Sequence, residues 1–153
     1  MRPLYHLNYP LDTKLFLMMA EEYKIHSKPY YDPRYDATID FWKQYRVQNK
    51  VIEDLMFDLN IKGKPRFYWT EPNTTIPEHV DNKTTCSVNF ILTNDPAPVT
   101  IEGTDYVYEQ CLLNTSLKHS VKNGDEERIL LKISIFDTPF EKVIEQIPEK
   151  YRV

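Results

Sequence analysis

The chain has 153 residues, long enough to bury a real core, and its 41% hydrophobic and 13% aromatic content argues against global disorder. A net charge of -4 and a pI near 5.6 give no electrostatic case for nucleic-acid binding. No apolar run approaches the roughly 20 residues of a membrane span, the opening MRPLYHLNYPLDTK lacks the apolar region of a signal peptide, and a cytoplasmic setting is expected.

The periodicity changes character near Gly63. Residues 12–24 predict an amphipathic helix with Asp12 as N-cap and Leu15, Met18, Met19 and Tyr23 on its apolar face. A proline-broken, tyrosine-rich connection, HSKPYYDPRYD, follows. Residues 38–60 predict helix again, interrupted near Arg46–Gln48, with Ile52, Leu55, Met56 and Leu59 as its stripe.

After Pro65 the segments are short and punctuated. Strands are expected at 66–70, 85–92, 99–103, 106–114, 118–121 and 128–136. A closing helix is predicted from Thr138 as N-cap, Pro139 at the first helical position and Glu141 completing a capping box, with Phe140, Val143, Ile144 and Ile147 on one face. The expected fold is α+β, one domain over 1–153. It would have a helical flank (1–63), a barrel-like β core (64–137) and a C-terminal helix (138–153).

Some chemistry is excluded. Three glycines cannot build a glycine-rich phosphate loop, and no G-x-S-x-G elbow exists. The two cysteines, Cys86 and Cys111, form no C-x-x-C pair, so a thiolate zinc site is not expected.

The stretch TTIPEHVDNKTTC holds His79 and Asp81, spaced i, i+2. In an extended strand such residues point to one side, aiming an imidazole and a carboxylate at one place. The spacing alone is equally that of an ordinary polar loop. Further on, His119 ends one predicted strand and Arg128 begins the next, with Asn123-Gly124 between. A two-residue hairpin at that pair would set His119 directly opposite Arg128. A third ligand from a distant strand would complete a facial triad with open positions. An arginine beside such a metal suits a small dicarboxylate that chelates the metal at one end and pairs with the guanidinium at the other. Tyr68 or Trp69 could wall such a site.

In that order, His79, Asp81, His119 and Arg128 resemble the Fe(II)/2-oxoglutarate-dependent oxygenases, with their H-x-D, distal His and basic residue on the last core strand. The segments IPEHVDNKTTCSVNFIL and LLNTSLKHSVKNGDEERILLKISIFD are most similar to the aspartyl/asparaginyl β-hydroxylase-like group, over roughly residues 64–137. Asn114 stands where that group often has Asp, and Leu130 where some related oxygenases have Ser.

The resemblance implies a double-stranded β-helix (jelly-roll, cupin-like) core with the N-terminal helices packed on one sheet. It implies Fe(II) on His79, Asp81 and His119, and 2-oxoglutarate as co-substrate held by Arg128, with Asn89 and Ser87 lining the same pocket. The implied activity is hydroxylation of an amino-acid side chain or small molecule by O2, with release of succinate and CO2. The alternative is a catalytically silent β-helix that binds a metal, a small anion or a protein partner.

Overall fold

The computed structural model describes every residue except Met1, Arg34, Asn82, Asp95 and Pro96. Arg34 belongs to the expected tyrosine-rich connection and Asn82 to the H-x-D stretch; both lie outside the described residues. Eleven strands and three helices follow one another as β1 (Leu4–His6), α1 (Thr13–Lys24), β2 (Lys28–Asp32), β3 (Ala37–Arg46), α2 (Lys50–Asp58), β4 (Lys64–Thr70), β5 (Thr75–His79), β6 (Cys86–Ile91), β7 (Val99–Ile101), β8 (Thr104–Tyr106), β9 (Gln110–Leu113), β10 (His119–Lys122), β11 (Arg128–Ile135) and α3 (Phe140–Gln146). A short 3-10 turn, Glu149–Tyr151, completes the elements among the described residues.

Two antiparallel sheets face each other. The larger runs β1-β9-β6-β11-β4-β3-β2 and the smaller β5-β10-β7-β8. From β4 to β11, apart from the β7–β8 hairpin within the small sheet, the chain alternates between sheets in the manner of a double-stranded β-helix, so most neighbours in sequence lie across the barrel and distant strands pair. The expected fold class is the observed one.

The central strands of the large sheet, β4, β6 and β11, alternate. On β11, Ile129, Leu131, Ile133 and Ile135 point outward into a buried cluster, while Arg128, Leu130, Lys132 and Ser134 point inward. Phe67 and Trp69 on β4 and Val88 and Phe90 on β6 join the outward cluster. It is covered by Phe16 and Ala20 of α1, Ile52 and Leu55 of α2, and Phe140, Val143 and Ile144 of α3. A smaller cluster of Leu4, Val99, Ile101, Cys111 and Leu113 fills one end of the space between the sheets. Gly63 lets the chain enter β4 against the backbone of Ser134, where any Cβ would collide with the Ser134 carbonyl.

Four expectations are corrected. Residues 38–46 are strand β3, and only Lys50–Asp58 is helical, so the first 63 residues add β1, β2 and β3 to the sheet as well as two helices. Aromatics sit on both faces of β3, with Trp42 turned inward and Tyr45 outward. That gives Ile39, Trp42 and Tyr45 a helix-like spacing.

The buried face of α1 is Phe16 and Ala20, flanked by Met19 and Tyr23; Leu15 and Met18 are exposed. The run LFLMMA is apolar all round, so periodicity could not choose its inner face. Asp12 does cap the helix, its carboxylate accepting from the Leu15 amide at 3.1 Å.

The N-cap of α3 is Pro139, and no side chain caps it. Thr138 instead offers its carbonyl to the Thr85 hydroxyl, which ties the helix to the start of β6.

Finally, Asn123-Gly124 closes no hairpin, because β10 and β11 lie in different sheets. The Asn123 amide side chain donates to the carbonyls of Thr70, Glu71 and Glu126, and its backbone amide to that of Thr74. The pair pins the crossover from one sheet to the other.

Candidate metal centre

His79 ends β5 and His119 begins β10, and these two residues are direct cross-strand partners. The strand pairing carries a bulge, with one extra residue on β5 between Ile76 and His79, where Pro77 sits. A bulge tolerates a proline and re-aims the side chain that follows it. Asp81 lies two residues past His79, and its backbone amide donates to the Thr115 carbonyl at 3.2 Å.

The three side chains converge. Asp81 Oδ1 lies 3.2 Å from His79 Nε2 and 3.5 Å from His119 Nε2, and all three ligand atoms fall within 4.8 Å of one another. Each imidazole has its Nδ1 at 2.8 Å from a backbone carbonyl two residues earlier, Pro77 for His79 and Leu117 for His119. A carbonyl only accepts, so each Nδ1 donates, and each Nε2 is left directed at the centre, where a neutral imidazole offers its lone pair as a metal ligand. Two imidazole nitrogens and a carboxylate oxygen therefore converge on one point.

Three such atoms stay this close when protons or a shared metal ion stand among them. Adjacent ligands on an octahedral ion with bonds of about 2.1 Å lie about 3 Å apart, close to the 3.2 and 3.5 Å that separate Asp81 from the two histidines. The donor set and its geometry fit Fe(II), with the rest of the coordination sphere open.

The other carboxylate oxygen is engaged elsewhere. Asp81 Oδ2 accepts from Lys132 Nζ at 3.1 Å. Burial alone would raise the Asp81 pKa, but the Lys132 charge beside it holds it well below the usual carboxylate range. Burial likewise disfavours the Lys132 ammonium, and Asp81 more than reverses this, raising its pKa. The carboxylate is thus ionised and oriented, with Oδ1 toward the histidines and Oδ2 toward the lysine.

Arg128, at the start of β11, pairs across the sheet with Thr70 and not with the expected His119. It nevertheless lines the same small cavity as His79 and His119, about 50 Å³ between the sheets. It is 4% exposed, and its Nη1 donates to the Ala97 carbonyl at 2.6 Å. Its guanidinium carbon lies 6.0 Å from the centre of the Tyr108 ring. Asn89 also lines this cavity. Ser87 donates to Asn89 Oδ1 at 2.8 Å, and Asn89 Nδ2 donates to the Tyr108 hydroxyl at 3.1 Å. Of the two aromatics considered as walls, Tyr68 faces the cavity and Trp69 belongs to the helix-covered core.

Sequence reasoning missed Lys132, Tyr108 and Trp42. Lys132 did leave a signal: it is the one charge inside the apolar run ILLKISIF, four residues after Arg128 and so on the same strand face. Tyr108 and Trp42 left none, since their contacts exist only once the sheets close.

Neither a protein-family model nor a curated protein sequence matches this chain. Solved structures do match in fold. A Pseudomonas putida prolyl-4-hydroxylase superposes with a TM-score of 0.68 at 11% identity, covering 89% of this chain and 94% of the other. The viral collagen prolyl hydroxylase of Paramecium Bursaria Chlorella virus-1, determined as its 2OG complex, gives 0.55 at 9% identity over 82% and 89% of the two chains. At these identities the likeness is one of fold. No helix among the described residues is long and apolar enough to cross a membrane.

Proposed function

We propose that this protein is an Fe(II)- and 2-oxoglutarate-dependent oxygenase that hydroxylates a side chain or a small molecule. The observation that carries the reading is the set of three converging side chains, His79, Asp81 and His119, with a buried arginine lining the same cavity. The fold shared with two prolyl hydroxylases supports it. Within this class, the H-x-D, distal His and Arg128 motifs favour the aspartyl/asparaginyl β-hydroxylase-like group.

His79, Asp81 and His119 would hold the iron, each imidazole fixed by its carbonyl and Asp81 limited to one oxygen by Lys132. Arg128 would pair with the distal carboxylate of 2-oxoglutarate, a charge-assisted contact in a site screened from water. Ser87 and Asn89 hold the Tyr108 hydroxyl beside that arginine. Iron and 2-oxoglutarate, when bound, supply the oxidising power to hydroxylate an unactivated C–H bond with O2, releasing succinate and CO2. The protein's own part is to bind, orient and exclude water.

Anaerobic titration with Fe(II) should reveal one site, and adding 2-oxoglutarate should produce the weak visible band of its chelate. Arg128→Ala should weaken 2-oxoglutarate by about 2–4 kcal/mol and leave iron affinity unchanged. If His79→Ala and His119→Ala both bind iron as the parent does, the assignment fails.

A further inference from the structure

The large sheet is wider than the small one, and its inner face beyond the small sheet is left uncovered. There β2, β3, β4 and β11 floor an open groove of about 420 Å³ that reaches His79 and Asp81. Its size exceeds what the cavity beside Arg128 holds, and its chemistry is different.

One side of the groove is aromatic. Tyr30 lies 4.2 Å from Trp42 between ring centres, Trp42 5.5 Å from Tyr68, and Trp42 6.4 Å from His79. The ladder leads to the metal ligands. The remainder is cationic, with Lys64, Arg66, Lys83 and Lys132 set against two carboxylates, Asp32 and Asp81. In a chain of net charge -4 this is a local reversal of sign.

The strand register makes the reversal costly. Arg66 on β4 stands directly between Arg46 on β3 and Lys132 on β11. Like charges directly opposite on a sheet destabilise it. Lys132 is relieved by Asp81. Among the described residues, no carboxylate lies within ion-pair distance of Lys64, Arg66 or Lys83. A row of cations that includes the half-buried Arg66, with exposed Lys64 and Lys83 at its margin and the metal centre beside it, is suited to an anion that arrives from outside.

We infer that this groove is the prime-substrate site and that the substrate carries a carboxylate on an apolar or aromatic body. The body lies along the Tyr30–Trp42–Tyr68 ladder and the carboxylate is held by Arg66 and Lys64. The inference rests on the oxygenase reading for the word substrate, but the binding itself requires no iron.

The test therefore uses the metal-free full-length protein and reads Trp42 fluorescence, with calorimetry in parallel. Trp69, the other tryptophan, is buried in the outer core. The probes are a capped hexaglutamate peptide, its hexaglutamine counterpart, and phenylacetate as a free small acid. Hexaglutamate, phenylacetate or both should quench saturably, hexaglutamine binding at least tenfold more weakly than hexaglutamate if the source is a peptide. Lys64→Gln/Arg66→Gln should lower the affinity of the bound acid at least tenfold. Lys14→Gln/Lys142→Gln, which removes the same charge from exposed helix positions, should change it less than twofold. The inference is overturned if neither acid binds, if hexaglutamine binds as well as the acids, or if the control pair loses as much as the groove pair. Because iron is absent throughout, failure of the iron assignment would leave this result standing, and the reverse also holds.

Discussion

The two faces of the seven-stranded sheet are built from alternate residues of the same strands, yet they obey different rules. Outward, β11 contributes Ile129, Leu131, Ile133 and Ile135 to a continuous core under three helices. Inward, two residues apart each time, it contributes Arg128, Leu130, Lys132 and Ser134 to the cavity and groove. The outward face is what stability alone would choose. The inward face holds buried cations, a like-charged row and three side chains aimed at one point. Each of these features costs stability, and each becomes favourable with a metal or anion in place.

Substitutions on the two faces should therefore separate into different measurements. Leu131, fully buried in the outer core, should cost about 2–5 kcal/mol when changed to Ala, read as a shift in the urea midpoint. The folded fraction should still bind iron with one-to-one stoichiometry. His119→Ala should do the opposite, abolishing iron binding with little loss of stability in the metal-free protein. If both variants lose both properties, the faces are not independent and the comparison breaks.

Lys132 sharpens it further, being an inward residue whose partner, Asp81, is one of the three converging side chains. Lys132→Met in metal-free protein should cost about 2–3 kcal/mol, because Asp81 is left ionised and nearly buried without its cation. Lys132→Met/Asp81→Leu should recover most of that loss, since an apolar pair replaces an ionic one. A double variant no more stable than the single would show that the pair is not what sets the cost.

The same division explains what could be read in advance. The outward face announces itself: the core strands 66–70, 85–92 and 128–136 and the stripe of α3 are simple hydrophobic patterns that packing then satisfies. The three converging residues were legible from the H-x-D spacing and the distal histidine, although Asp81 lies just past the end of β5. What failed was pairing. The Asn-Gly rule is local, and in this fold neighbouring strands cross between sheets, so His119 meets His79 forty residues earlier in the chain. Strand β3 failed because a groove lined with aromatics spoils the alternation that marks a half-buried strand. Lys132 was visible as a misplaced charge, but its meaning depends on Asp81 approaching from the other sheet.

The two cysteines offer a smaller contrast, one to each side. Cys86 belongs to the outer core and Cys111 to the cluster between the sheets. Burial pushes the Cys86 thiol up to about 11. Burial raises Cys111 further still, although the nearby Arg128 charge opposes it. Each thiol is thus protonated in the folded state at pH values where the unfolded chain has released its proton. Their contribution to stability is complete below the ordinary thiol pKa and declines as pH rises from about 9 toward 11, by about 1 kcal/mol per thiol over the first unit. At pH 8 both should resist a thiol reagent until urea unfolds the chain, and prompt labelling of either would contradict the packing on that side of the sheet.

The smallest effects lie in the helical layer, where two caps expected from sequence met different fates. Asp12 makes its bond to the Leu15 amide, so Asp12→Ala should cost about 1 kcal/mol. Thr138 was expected to do the same for α3, but its hydroxyl caps nothing and only its backbone carbonyl is used, by Thr85. A carbonyl survives any side-chain change. Thr138→Ala should therefore lie within about 0.5 kcal/mol of the parent, whereas Thr85→Ala, which removes the donor, should cost about 1 kcal/mol. If Thr138→Ala proved as costly as Asp12→Ala, the capping box would be real in solution. The attachment of α3 to the outer face would then depend on its own N-terminus and not on the start of β6.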